Sequence, residues 1–313
     1  MLRTESFVGR HLEATLDLLQ RALWADPIGR EAFARKVLLD PNFDPEGACL
    51  ALDDDTVVGF ALAIARRVPL EDAPPDTGKG YLTLLAAAPE MRGRGIGSRL
   101  LQRSEEYLAD RGCDRVLVSP YAPGYFVPGV DMVVYADCCR FLQRRGYTVI
   151  SQPIAMEADL TVMRVPEWVI ERERQLNGDG VVIEPYTTHR LPALFAFLRN
   201  HFPGDWQRFA RAAADRIEQG EPVTRLWMAV AGDAVIGYAH HEVERFGPIG
   251  VAPQWRGRGI GHVLMYRTLS AMRQRGLHTA WFLWTDEGTA ARLYAGAGFR
   301  VTRKFAVLAR DIE

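Results

Sequence analysis

Two short runs hold residues whose types and spacing can do chemistry. They are Ala88-Pro89-Glu90-Met91-Arg92-Gly93-Arg94-Gly95-Ile96-Gly97 and Ala252-Pro253-Gln254-Trp255-Arg256-Gly257-Arg258-Gly259-Ile260-Gly261, near copies of one another. In each, a run of small and apolar residues (Leu84 to Ala88, Ile249 to Ala252) is halted by proline, and a glycine-rich turn opens an amphipathic stretch. The pattern predicts a strand, an anion-binding turn and a helix. The glycines let the backbone approach a ligand closely, and the first helical turn offers unpaired N–H groups and the positive end of the helix dipole. A diphosphate is the natural guest of such a turn.

The elements that must position these turns repeat as well. The match continues through each helix to Arg111-Gly112 and Arg275-Gly276. Upstream, Val58-Gly59-Phe60 answers Ile236-Gly237-Tyr238; downstream, Arg145-Gly146-Tyr147 answers Ala297-Gly298-Phe299. A period of about half the chain is an internal duplication rather than a solenoid, and 313 residues suit two domains. The predicted organisation is residues 1–160, a helical linker at 161–180 that ends in Asn177-Gly178-Asp179-Gly180, and residues 181–313. The first half carries a longer Pro/Gly/Tyr-rich loop, Pro120 to Asp131.

Composition narrows the function classes. Basic and acidic residues balance at 38 and 39, so nothing global points to nucleic acid or an anionic membrane surface. No apolar run approaches the roughly 20 residues of a spanning helix, and no signal peptide opens the chain; cytoplasm is the expected compartment. Cys49, Cys113, Cys138 and Cys139 match no metal or redox spacing and read as reduced, packed thiols. The Asp53-Asp54-Asp55 run reads as a hairpin tip rather than a metal site, and no metal is expected. Nothing in the sequence sets an oligomeric state.

Both halves resemble the GCN5-related N-acetyltransferases (GNAT), whose acetyl-CoA motif reads Gln/Arg-x-x-Gly-x-Gly/Ala. Gln254 to Gly259 fits in full, and Glu90 to Gly95 fits apart from Glu90. The resemblance implies an α/β fold built on a mixed sheet, in two tandem GNAT domains, and an acetyl-CoA-dependent transfer to a primary amine of a small molecule. It implies that backbone amides of Arg256, Gly257, Arg258, Gly259, Ile260 and Gly261 hold the CoA diphosphate. The strand ending in Val251 and Ala252 would pair with the pantetheine arm, and an amide near Val251 would polarise the thioester carbonyl. Arg92, Gly93, Arg94, Gly95, Ile96 and Gly97 form a possible second cofactor site.

The family often continues Asn-x-x-Ala-x-x-Leu-Tyr-x-x-x-Gly-Phe. Ala290, Leu293, Tyr294, Gly298 and Phe299 match, while Glu287 replaces the asparagine that contacts pantetheine. By resemblance Tyr294 protonates the departing thiolate. In the first half Leu142 stands at that position and Tyr135 at that of Glu287, so the first domain is expected to be degenerate or supporting and the second catalytic.

An ammonium acceptor must lose a proton before it attacks. On the predicted strand Val235 to Glu244, alternation sets His240, Glu242 and Glu244 on one face and His241 on the other. Glu242 or Glu244 is the candidate base; the competing reading pairs these carboxylates with arginines. Asp205 with Trp206, and Trp284 before Asp286-Glu287, place tryptophan beside carboxylates as an aminosugar would need. Tandem chains of this length resemble glucosamine or glucosaminide N-acetyltransferases, which is the preferred reading, and mycothiol synthases. A peptide or polyamine acceptor and a non-catalytic acyl-CoA sensor stay open.

Overall fold

The computed structural model describes residues 2–222 and 224–312. The chain packs as two compact units. The first runs to Pro69 and takes in Pro75–Pro153 and the stretch from Lys304 onward; the second comprises Leu70–Pro74 and Ile154–Arg303.

In the first unit the elements are β1 (Leu2–Ser6), α1 (Leu12–Ala22), α2 (Arg30–Phe33), β2 (Ala48–Asp53), β3 (Thr56–Ala65), β4 (Lys79–Ala87), α3 (Ile96–Ala109), β5 (Arg115–Val118), β6 (Val130–Asp131), α4 (Ala136–Gln143) and β7 (Thr148–Ser151). The sheet runs β1-β2-β3-β4-β5, antiparallel as far as β4 and parallel between β4 and β5. β3 is buried along its whole length after Thr56, because α1 covers one face of the sheet and α3 the other. That is why it reads as a continuous apolar run rather than an alternating one. In the acidic run Asp53-Asp54-Asp55, Asp53 ends β2 and Asp54 and Asp55 form the turn, with Asp54 at φ 52°, as expected of a solvated hairpin.

The second unit contains β8 (Ile154–Asp159), α5 (Glu167–Gly178), β9 (Val181–Pro185), α6 (Leu191–His201), α7 (Asp205–Glu218), β10 (Thr224–Ala231), β11 (Ala234–Glu242), β12 (Arg245–Val251), α8 (Ile260–Gln274), β13 (Thr279–Thr285), α9 (Thr289–Gly296) and the start of β14 (Arg300–Asp311). Its sheet runs β8-β13-β12-β11-β10-β9.

Strand bonding draws unit limits that the duplication alone does not. β8 follows the first half in sequence yet pairs with β13, with Met156 opposite Phe282. From Phe305 on, β14 pairs with β6, β7 and β5, with Leu308 opposite Val118. A strand goes where its N–H and C=O groups find partners. Residues 167–178, expected as a linker, form a helix that buries Val169 and Leu176 in the core beneath α8. Among the described residues no helix is long and apolar enough to cross a membrane, and no group of three or more metal-ligating side chains could hold a metal ion.

Candidate functional site

The two glycine turns have the same backbone. Gly93 and Gly95 sit at φ 79° and 81°, Gly257 and Gly259 at 78° and 81°, and the second glycine of each pair is the N-cap of the helix that follows. This left-handed conformation costs an L-residue about 1–2 kcal/mol, which is why glycine stands there. Ile96 and Ile260 are the first helical residues, and both are buried at 1% exposure to anchor the turns on their cores. Their surroundings differ.

In the first unit the turn opens on a cavity of about 680 Å³. β5 stops at Val118, whereas β4 runs on, so beyond Leu82 the edge of β4 has lost its neighbour. Thr83 is an extra residue in the β3–β4 ladder, a bulge between Leu82 and Leu84. Ala88 N donates to Val58 O across β3. Alternation along the strand therefore turns the amides of Leu85 and Ala87 toward the cavity. A cβ on Gly95 would meet nothing within 4 Å. Arg92, Arg144 and Arg145 line the space, and Arg145 donates to Ser98 Oγ at the entry of α3 and to Phe141 O on α4. The cavity thus joins an unfilled strand edge, a helix N-terminus and arginines, which is the chemistry of an extended polar arm ending in phosphates.

In the second unit the same turn is covered. A Cβ on Gly259 would lie 2.8 Å from Arg172 Cγ and 3.0 Å from Arg172 Cδ. Arg172 belongs to α5, which is held on α8 by the Arg267–Glu173 ion pair (2.7 Å) and by Trp168, whose ring meets His262 edge-on at 4.9 Å. Arg256 Nε donates to Val251 O (3.0 Å), at the end of the strand expected to pair with the pantetheine arm. The side chain of Arg258 stacks over Trp255 at 4.7 Å. Gly257 and Gly261 make no close approach, and Ala252 is buried.

Tyr294, on α9, lies among Phe246, Phe282 and Phe299, with ring centroids at 6.1, 4.5 and 5.7 Å. Burial, with Asp286 adding to it, pushes its phenol up to about 12. Glu287 stands in the turn before α9, where Asp286 Oδ1 accepts from Gly288 N (3.0 Å).

Glu242 ends β11 and pairs with Arg216 Nη1 at 2.7 Å, the competing reading of that carboxylate. Glu244 is not on a strand. It falls with Val243 in the turn of the β11–β12 hairpin, whose register sets Glu242 opposite Arg245, so the predicted shared face of His240, Glu242 and Glu244 ends at Glu242. Val243 at φ 49° makes that reversal. His240 and His241 are buried, and desolvation holds them neutral, lowering their pKa values to about 3 and about 4.

Trp206 is the second residue of α7 rather than part of a loop. It stacks on Phe202 at 4.5 Å, and the two rings lie on β12 where a Cβ at Gly250 would clash at 2.6–2.8 Å. Asp205 opens α7 and accepts from Arg208 Nε (3.0 Å). Trp284 is 42% exposed near the end of β13. None of these three residues lines the first-unit cavity.

Sequence reasoning missed Trp24, Asp26 and Tyr135 as cavity residues. Tyr135 is the N-cap of α4, and its hydroxyl accepts from Ala25 N (3.2 Å). The signal was present in the displacement of the aromatic residue from the position of Leu142 to that of Tyr135.

Comparison with known proteins agrees with this architecture. The Acetyltransferase (GNAT) family model matches residues 15–123, and the Acetyltransferase (GNAT) domain model matches residues 222–301. The chain belongs to the GNAT acetyltransferases, in a tandem arrangement, and GNAT acetyltransferases use acetyl-CoA. It is 28% identical to a mycothiol acetyltransferase of Thermobispora bispora over 92% of each chain, and 24% identical to one of Pseudarthrobacter chlorophenolicus over 76% of this chain and 77% of that one. Among solved structures, a GCN5-related glucosamine N-acetyltransferase region of a fungal multi-domain β-N-acetylglucosaminidase superposes with a TM-score of 0.79 at 17% identity, over 99% of this chain and 38% of that longer one. A tandem GNAT protein from the clavulanic acid biosynthesis pathway superposes with a TM-score of 0.65 at 16% identity, over 99% and 98% of the two chains.

Proposed function

We propose that the chain moves the acetyl group of acetyl-CoA, bound in the first unit, to the primary amine of a small sugar-linked acceptor. The observation that carries the placement is the contrast between the turns. Gly95 faces open cavity, and Gly259 faces the side chain of Arg172. In this reading the N–H groups of Ile96, Gly97 and Ser98 and the nearby arginines receive the diphosphate. The open edge of β4 receives the pantetheine amides through Leu85 and Ala87, as a strand edge receives an added strand. A β4 amide beside the Thr83 bulge is a preorganised donor for the charge that develops on the thioester oxygen. The amine attacks the carbonyl carbon as a free base, forming C–N and breaking C–S.

This placement reverses the sequence expectation of a catalytic second domain served by Tyr294. Support for the acceptor class comes from the relatives: mycothiol acetyltransferases aligned over most of this chain, and a glucosamine acetyltransferase region of the same fold.

The test is thiol release from acetyl-CoA over glucosamine, a cysteinyl glucosaminide, a lysine peptide and spermidine, with CoA titrated by calorimetry. Turnover with a glucosaminide and one CoA per chain are expected. Tight CoA binding with no turnover on any amine would replace this reading by an acyl-CoA sensor, and a stoichiometry of two would return the second unit to the reaction.

A further inference from the structure

The first half has a loop that the second lacks. Gly97 and Gly146 are 49 residues apart in sequence, whereas Gly261 and Gly298 are 37 apart. The difference falls after the strand that follows each glycine-turn helix. β13 passes to α9 over Asp286, Glu287 and Gly288, but β5 is followed by residues 119–135, with only the two-residue β6 among them, before α4 begins.

Holding a long connection in one conformation costs entropy, which specific bonds must offset. Here they come from three sides. Arg66, its side chain only 5% exposed, donates to Ala122 O (2.5 Å) and to Asp76 Oδ2 (2.5 Å), with its guanidinium over the rings of Tyr81 and Tyr121. Lys36, in the helical turn Ala34–Leu38, donates to Tyr125 O (2.8 Å) and stands 4.9 Å over the ring of Phe126. At the far end a Cβ on Gly129 would lie 2.5 Å from Ala306 O, so the loop backbone is pressed against β14. The loop is a fixed wall.

Two bonds set where the wall stands. Ser119 N donates to Leu82 O (2.9 Å), and Ser119 Oγ donates to Val127 O. Leu82 is the last β4 residue paired with β5, and it adjoins the Thr83 bulge. Ser119 thus ties Val127 to the part of β4 beside which the proposed placement sets the thioester carbonyl. Followed from the glycine turn, the β4 wall of the cavity passes Ala87, Leu85 and the bulge and reaches Leu82, where Val118, Phe126, Val127 and Val130 also line the space. Leu82, Val118 and Val130 are buried, and Phe126 packs on the same core. An acyl chain extending past the bulge meets apolar side chains that are supported from behind.

We propose that the Phe126–Val127 segment limits the length of the transferred acyl group, admitting acetyl and rejecting butyryl and longer chains. The assignment rests on the first unit being the acetyl-CoA site. A close-packed wall rejects added methylenes because its side chains move aside only by losing contacts, and its backbone only by breaking the bonds from Ser119 and Lys36. The second half, without this loop, has no counterpart to it.

The experiment uses the full chain with acetyl-, propionyl-, butyryl- and hexanoyl-CoA. Affinity is read by calorimetry without acceptor, and kcat/KM with the amine that turns over fastest on acetyl-CoA. Wild type should bind butyryl-CoA at least about tenfold more weakly than acetyl-CoA and use it about a hundredfold less well. Phe126→Ala should narrow both gaps, the second by about tenfold or more, and leave the affinity for CoA itself and the KM for the amine within about twofold. Phe126→Leu, a smaller change in packing, should move the preference the same way if thermal unfolding shows that Phe126→Ala does not fold. Equal use of butyryl-CoA and acetyl-CoA by wild type overturns the proposal. A Phe126 variant that changes the KM for the amine but not the acyl preference would make the wall part of the acceptor site, and also overturns it. Failure of the underlying site reading looks different: CoA binding would survive Gly95→Glu and be lost in Gly259→Glu, which would remove both.

Discussion

Arg172 lies against Gly259: the Cγ of the arginine stands 2.8 Å from where a Cβ of that glycine would be, while the matching space at Gly95 is open. Two turns of one backbone conformation therefore differ in access. The cover comes from α5, held by apolar burial of Val169 and Leu176 and by the Glu173–Arg267 pair.

That contrast makes a paired substitution decisive. Gly95→Glu and Gly259→Glu impose the same backbone strain, about 1–2 kcal/mol each at a φ near 81°. Gly95→Glu also sets a carboxylate in the path of the diphosphate and should abolish CoA binding. Gly259→Glu meets Arg172, which is a counter-charge, and should leave CoA affinity within about threefold. Calorimetry with CoA, with thermal unfolding to confirm that both variants are folded, decides the matter.

Glu242 and Tyr294 test the opposite assignment. Glu242 is engaged by Arg216, and both side chains are partly exposed, so Glu242→Gln should cost no more than about 1 kcal/mol of stability. Tyr294→Phe keeps the ring that packs on Phe282. Both variants should retain at least half of wild-type kcat in a thiol-release assay. A hundredfold loss in either would move the chemistry back to the second unit.

The buried histidines make stability depend on pH. His240 and His241 titrate near 6.5 when unfolded but at about 3 and about 4 when folded, because burial opposes the charged ring. Between those limits the unfolded chain binds more protons. Their contribution is therefore fully present above about pH 6.5 and is lost as pH falls toward 4 and then 3. At pH 5 the loss is about 2 kcal/mol for each histidine, as an order of magnitude. Urea unfolding at pH 7.5 and pH 5.0 should show it, and His240→Phe should reduce the difference by about half.

Cys138 shares the cavity with the proposed acyl donor but should not become acylated. Burial pushes its thiol up to about 12, so little thiolate exists near neutral pH. Mass spectrometry after incubation with acetyl-CoA at pH 7.5 should show no acetyl adduct on Cys138, and Cys138→Ser should keep kcat within about threefold of wild type.

The sequence by itself determined the repeated strand–turn–helix, the family, and the α/β class, because glycines at left-handed positions and apolar periodicity are local requirements that each half meets within its own residues. It also made legible most helices and strands, including the hairpin at Asp54 and the helix within residues 161–180. The tertiary structure alone decided which turn is open. That outcome depends on Arg172 reaching Gly259 and on β5 ending at Val118 while β4 continues. Each is a meeting of side chains or strand ends far apart in the chain. A motif specifies the backbone of a phosphate turn; only packing specifies what stands in front of it.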